Sequence, residues 1–114
     1  MANLQIDERN AGEVTILGVK GKLILDEVDL LRNKVTSLVD QNRRKLLLDL
    51  GGVPYVDSAG LGEIVRCHTT VTRQGGQLKL LNLTKRIQDL MTITKLSNVF
   101  DTYDSEPDAI KSFS

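Results

Sequence analysis

The segment Lys45-Leu46-Leu47-Leu48-Asp49-Leu50 carries an apolar side chain at almost every position. Successive side chains of a strand point to opposite faces, so this run has little to offer water on either side. It has the pattern of a buried parallel strand. It follows the stretch Asp26 to Gln41, where Val28, Leu31, Val35, Leu38 and Val39 recur mostly at steps of three and four. That spacing predicts an amphipathic helix. Asp26 is its expected N-cap, with Glu27 beside it in the first turn. A helix feeding a buried strand points to the α/β class.

The rest of the chain extends this alternation. Leu4 and Ile6 mark a short first strand, Asn10-Ala11-Gly12 a turn, and Val14-Thr15-Ile16-Leu17-Gly18-Val19 a second strand, which together predict a hairpin. Gly51 to Asp57 reads as a loop containing Pro54. A helix is predicted from Ser58 to Arg73, with Leu61, Ile64, Val65, Cys67, His68 and Val71 on its apolar side. Gly75-Gly76 ends it, and Gln77 to Leu81 is a further strand. Thr84 caps a third helix carried by Ile87, Leu90, Met91 and Thr94. Val99-Phe100 is predicted as a brief strand or extended segment. Glu106-Pro107 opens a last short helix that docks through Ala109, Ile110 and Phe113. The expected fold is a mixed sheet of four to five strands, an N-terminal hairpin followed by parallel strands, with about four helices. Residues 1–114 are expected to form a single domain, and 40% apolar residues suffice to fill one core.

Several function classes are disfavoured at this level. Fifteen basic residues against fifteen acidic leave no global field to attract nucleic acid or an anionic membrane. The run Arg43-Arg44-Lys45 suits the negative end of a helix dipole. Cys67 is the only cysteine, which excludes an internal disulfide and fits a reducing compartment. The first nine residues lack a basic start followed by an apolar run, so no secretory signal is expected. No apolar run approaches a membrane span. A cytoplasmic location is the expectation.

Catalytic sets are equally sparse. His68 lies ten residues after Ser58, roughly 15 Å along a helix, too far to serve as its base. Val56 stands where a nucleophile elbow requires glycine. Cys67 and His68 point about 100° apart on a helix, and no second Cys or His completes a metal site. No glycine-rich loop ends in Lys-Ser or Lys-Thr, so a phosphate-cradling NTPase loop is absent. A phosphoacceptor receiver built on Asp49 would need paired carboxylates after an earlier strand, and that strand ends in Gly21-Lys22-Leu23. No catalytic residue, cofactor or metal is expected, and the chain is not read as an enzyme.

The segment Val53-Pro54-Tyr55-Val56-Asp57-Ser58-Ala59-Gly60-Leu61-Gly62 joins the buried strand to a helix. Asp57 or Ser58 can cap the first turn, and the glycines permit close approach of another backbone. A hydroxyl at a helix N-terminus also tolerates a phosphoryl group, because free N–H groups and the dipole favour an anion. Nearly two added negative charges would weaken a partner docked there.

Together with Leu46-Leu47-Leu48-Asp49-Leu50, this segment resembles the signature of STAS domains, the sulfate-transporter and anti-sigma-factor-antagonist domains. The likeness also covers Gly21, Gly75-Gly76-Gln77-Leu78 and Leu96-Ser97-Asn98-Val99-Phe100. The length is similar to that of stand-alone bacterial anti-sigma factor antagonists. The resemblance implies partner switching without a cofactor. Ser58 would be the phosphoacceptor of an anti-sigma factor with serine kinase activity, and a serine phosphatase would reset it. Asp57, Ser58, Ala59, Gly60, Leu61 and Gly62 would form the partner-binding segment. A monomer or weak dimer is expected, binding neither nucleic acid nor membrane on the grounds of its balanced charge and short apolar runs. Ala59 departs from the Ser or Thr common in the family, and Leu23-Ile24 departs from its usual Leu-Asp pair. A scaffold module without the switch, and an enzyme using the anion site at the helix start, are the alternatives.

Overall fold

A computed structural model describes residues 4–113. Met1 to Asn3, where the expectation of no signal segment begins, and Ser114 lie outside the described residues. The elements run β1 (Gln5–Ala11), β2 (Val14–Lys20), α1 (Val28–Asp40), β3 (Lys45–Gly52), α2 (Ser58–Arg73), β4 (Gln77–Leu81), α3 (Lys85–Ile93), β5 (Thr102–Tyr103) and α4 (Glu106–Ser112). The five strands lie in the order β1-β2-β3-β4-β5, with β1 antiparallel to β2 and every later pair parallel. This is the mixed sheet expected from the sequence. The turn of the hairpin is Gly12-Glu13, with Gly12 at φ +61 and Ala11 still paired to Val14.

Each parallel crossover moves one strand further along the sheet, and right-handed connections therefore stack their helices on one face. Leu17, Val19, Leu46, Leu48, Leu50, Leu78 and Leu80 meet α1, α2 and α3 there in the larger core. The alternate residues Ile16, Leu47 and Leu81 face the other way and are covered by Ala109 and Phe113 of the α4 segment. The period of two along β3 thus explains its unbroken leucines: each face has its own core.

Three local expectations change. The helix predicted from Asp26 begins as a 3-10 turn, Leu25–Glu27, and becomes α-helical at Val28. Asp26 is not its cap: neither Ile24 nor Glu27, the residues at the two N-cap positions, caps this start with its own side chain, and the Glu27 N–H bonds the Ile24 carbonyl at 2.8 Å. Gly51 and Gly52 extend β3 rather than opening a loop. Val99-Phe100 is a turn, not a strand, because Phe100 inserts into the core edge-on to His68 at 5.0 Å. The strand falls two residues later, where the Leu80 and Asn82 N–H groups donate to the carbonyls of Asp101 and Tyr103. Among the described residues no helix is long and apolar enough to cross a membrane.

The far face of the sheet is fastened by one buried lysine. Lys79 Nζ donates to the Ser112 carbonyl at 2.9 Å and to Ser112 Oγ at 3.0 Å, and sits 4.9 Å from the Phe113 ring centroid. At the other end of α4, Arg9 pairs with Glu106 and holds its carboxyl below the ordinary range. Lys79→Ala removes the donor and strands its acceptors. It is expected to cost about 1–3 kcal/mol in urea unfolding and to release the α4 amides to hydrogen exchange first. An unchanged midpoint would show that apolar packing alone holds α4.

Candidate functional site

The C-terminal ends of β2, β3 and β4 share one edge of the molecule, and the β3–α2 connection crosses it. After Gly52 the chain turns at Val53, whose N–H bonds the Leu50 carbonyl at 3.0 Å. Val56 then pairs with Leu23 as an isolated parallel bridge. The Leu23 N–H reaches the Tyr55 carbonyl at 3.1 Å, and the Asp57 N–H reaches the Leu23 carbonyl at 3.3 Å. The loop between β2 and α1 is thereby laid against the start of α2.

Asp57 closes this junction. Its Oδ1 accepts the Gly60 N–H at 2.8 Å and caps α2, while its Oδ2 accepts the Leu25 N–H at 3.0 Å. One carboxylate therefore satisfies backbone donors at the starts of two helical segments, groups that would otherwise lack partners. Gly60 explains the spacing. A methyl added to it would drive into the Leu23 carbonyl oxygen and lie 2.7 Å from Val56 Cγ2. At Gly62 an added methyl would meet nothing within 4 Å.

The six residues of the signature segment therefore divide. Asp57 is half-buried and structural, while Gly60 and Leu61 point into the fold. Ser58, Ala59 and Gly62 line a surface groove of about 380 Å³ together with Leu25, Val28, Asp29, Arg32 and Arg66. Ser58 is the first residue of α2 and is exposed. Because Asp57 does the capping, the Ser58 hydroxyl has no hydrogen-bond duty among the described residues.

Charged residues flank the groove that the sequence had not singled out. Arg32 donates to the buried Glu63 through Nε at 3.0 Å and Nη2 at 2.7 Å, and to Asp29 at 2.9 Å. The hydrogen bond to Glu63 raises the Arg32 pKa above its ordinary value. Cys67 Sγ lies 3.5 Å from the other Glu63 oxygen, and burial, then the Glu63 charge, pushes the thiol pKa far upward. It is a protonated core residue and not an activated nucleophile. Arg86 lies over Tyr55, which is 39% exposed, at 4.7 Å. Leu25 is 67% exposed at the lip of the groove. The four-residue step from Gly62 to Arg66 was a legible signal for the arginine. The role of Leu25 was not legible, because it depends on the contact with Asp57.

Among the described residues no group of three or more His, Cys, Asp or Glu could hold a metal ion. The two glycines give this architecture a sharp test. Gly60→Ala is expected to destabilise by about 3 kcal/mol, since the obstruction is backbone. Gly62→Ala is expected to stabilise by about 0.5–1 kcal/mol, as for an unobstructed helix position. Chemical unfolding of the two variants checks both signs, and equal effects would contradict the close approach at Gly60.

Comparison with known proteins fits this geometry. The STAS domain family model matches residues 5–109. The chain is 34% identical over 100 residues to the anti-sigma-B factor antagonist of Bacillus subtilis (strain 168), covering 87% of this chain and 90% of that one. A crystal structure of an anti-sigma factor antagonist from Mycobacterium paratuberculosis superposes with a TM-score of 0.85 at 17% identity, covering 96% of this chain and 93% of that one. The Bacillus cell fate determinant SpoIIAA, solved in its phosphorylated form, superposes with a TM-score of 0.73 at 18% identity, covering 95% and 96%.

Proposed function

The chain belongs to the STAS domain family, and from that premise we propose that it is an anti-sigma factor antagonist switched by phosphorylation of Ser58. Unmodified, it binds an anti-sigma factor with serine kinase activity. Phosphorylated, it lets that partner go, and a serine phosphatase restores the binding form. The same proposal places the chain in the cytoplasm as a binding protein and not as a catalyst. The 34% identity to the anti-sigma-B factor antagonist supports the partner class.

The observation that carries the switch is the division of labour between Asp57 and Ser58. Asp57 caps α2 through its own carboxylate, which leaves the neighbouring hydroxyl exposed and uncommitted. Modification of Ser58 therefore need not break a bond that the fold uses. In the transfer, the Ser58 oxygen bonds to the terminal phosphorus of a nucleoside triphosphate held by the kinase. The anhydride P–O bond breaks, the diphosphate leaves, and the hydroxyl proton passes to a base on the kinase. The product carries about two negative charges at an exposed position, with Leu25, Ala59 and Gly62 on the apolar side of the groove and Asp29, Arg32 and Arg66 on its charged side. A partner face that fits these small and apolar groups must then desolvate a dianion, which disfavours the complex.

Incubation with ATP and the cognate kinase is expected to add one phosphoryl group by intact mass, and none in Ser58→Ala. Ser58→Ala should retain kinase binding in calorimetry, whereas Ser58→Asp should weaken it at least tenfold, about 1.4 kcal/mol. Phosphorylation of the Ser58→Ala chain, or equal binding by Ser58→Asp, would contradict the switch.

A further inference from the structure

Arg66 and Arg73 belong to a longer feature than the Ser58 groove. Ser58, Gly62, Arg66, Thr69 and Arg73 recur along α2 at steps of four, four, three and four, so they share one face of the helix. Asp29, Arg32 and Thr36 share a face of α1. A second groove of about 340 Å³ is lined by Thr36, Val65, Thr69, Thr70, Arg73 and the buried Glu63, whose charge Arg32 meets, and it shares Arg32 and Arg66 with the groove at Ser58. The two form one track between α1 and α2, roughly 22 Å long from Ser58 to Arg73.

The charges along the track are unequally committed. The Arg32 guanidinium is engaged by Glu63 and Asp29. Arg66 is 71% exposed, and its one ion pair is a 3.9 Å contact to the Glu63 oxygen that already accepts from Arg32 at 2.7 Å. Arg73 is exposed, and its side chain has no ion pair or hydrogen bond among the described residues. A chain with no net charge thus holds two guanidinium groups on one face, Arg73 unpaired among the described residues and Arg66 paired at 3.9 Å with a Glu63 oxygen already bound by Arg32, about 10 Å and two helical turns apart. That separation matches carboxylates seven residues apart on a helix. The exposed Leu25 at the Ser58 end offers an apolar stop.

We propose that the α1–α2 track is a docking site for an acidic helical segment of a protein partner, with Arg66 and Arg73 reading its carboxylates. The hydroxyls of Thr36 and Thr70 offer further polar contacts along the walls. Asp29 in the wall and the shortage of further free cations disfavour a polyphosphate backbone. The regulatory consequence rests on the partner-switching proposal: a phosphoryl group on Ser58 puts about two negative charges at the mouth of a track built for carboxylates.

The test uses the full chain, labelled with nitrogen-15, and a helical peptide of Glu and Ala with glutamates seven residues apart. A Gln–Ala peptide and a thymidine oligonucleotide are the controls. Amide shifts are expected along the α1–α2 face, with affinity falling about fivefold or more in each of Arg66→Glu and Arg73→Glu and falling with added salt. Arg43→Glu, in the separate basic cluster, should bind as the parent does. Arg66→Gln and Arg73→Gln should give smaller losses of the same sign, and unchanged thermal unfolding shows that the variants fold. Undiminished binding by the Arg66→Glu, Arg73→Glu double variant, shifts centred on Arg43 to Lys45, or tighter binding of the oligonucleotide would overturn the proposal. Failure of the Ser58 switch alone would look different: the kinase would add no mass, while peptide binding and its loss on charge reversal would persist.

Discussion

The Asp57 carboxylate is the contact on which this end of the molecule depends. One oxygen caps α2 at the Gly60 N–H and the other takes the Leu25 N–H from the segment entering α1. Two connections, each leaving a different strand, are thereby fixed relative to one another. Neither bond would form unless the backbones were close, and Gly60 permits that approach because it has no side chain to collide with Leu23. A net hydrogen bond to a charged group contributes about 1.5–3 kcal/mol. The larger effect is geometric, since the clasp decides which side chains reach the surface.

Those side chains follow from simple periodicities. Once α2 is anchored with Gly60, Ile64, Cys67 and Val71 inward, Ser58, Gly62 and Arg66 must face out. Once α1 buries Leu31, Val35 and Leu38, it turns Asp29, Arg32 and Thr36 toward solvent. The two exposed stripes meet because consecutive right-handed crossovers place their helices side by side. Glu63, 1% exposed and bound by Arg32 from the neighbouring helix, ties them together. The groove beside Ser58 is thus a product of the sheet order as much as of the signature segment.

The elements with strong periodicity were legible without coordinates: the doubly buried β3, the stripes of α1 and α2, the Thr84 cap and the glycine stop after α2. What the sequence left open was decided by contacts between distant segments. Asp26 has the residue type of a cap, yet the α1 start is held from outside by Asp57. Val99-Phe100 has strand propensity, yet Phe100 gains more by burial against His68, and the pairing moves to Thr102–Tyr103. Ser58 and Asp57 were both candidates for the α2 cap, and the Gly60 N–H donating to Asp57 decides for the carboxylate. Arg66 and Arg73 were invisible as a pair because their significance requires knowing that α1 runs beside α2.

Central to the account is that Asp57 carries the structural duty and leaves Ser58 free. The most direct measurement is the unfolding free energy of Ser58→Ala beside that of Asp57→Ala, by urea titration monitored by circular dichroism. The account predicts that Asp57→Ala loses about 2 kcal/mol or more, because two backbone donors lose their acceptor, while Ser58→Ala stays within about 0.5 kcal/mol of the parent. A loss in Ser58→Ala as large as that in Asp57→Ala would mean that the hydroxyl is part of the cap, and the division of labour proposed for this site would be wrong.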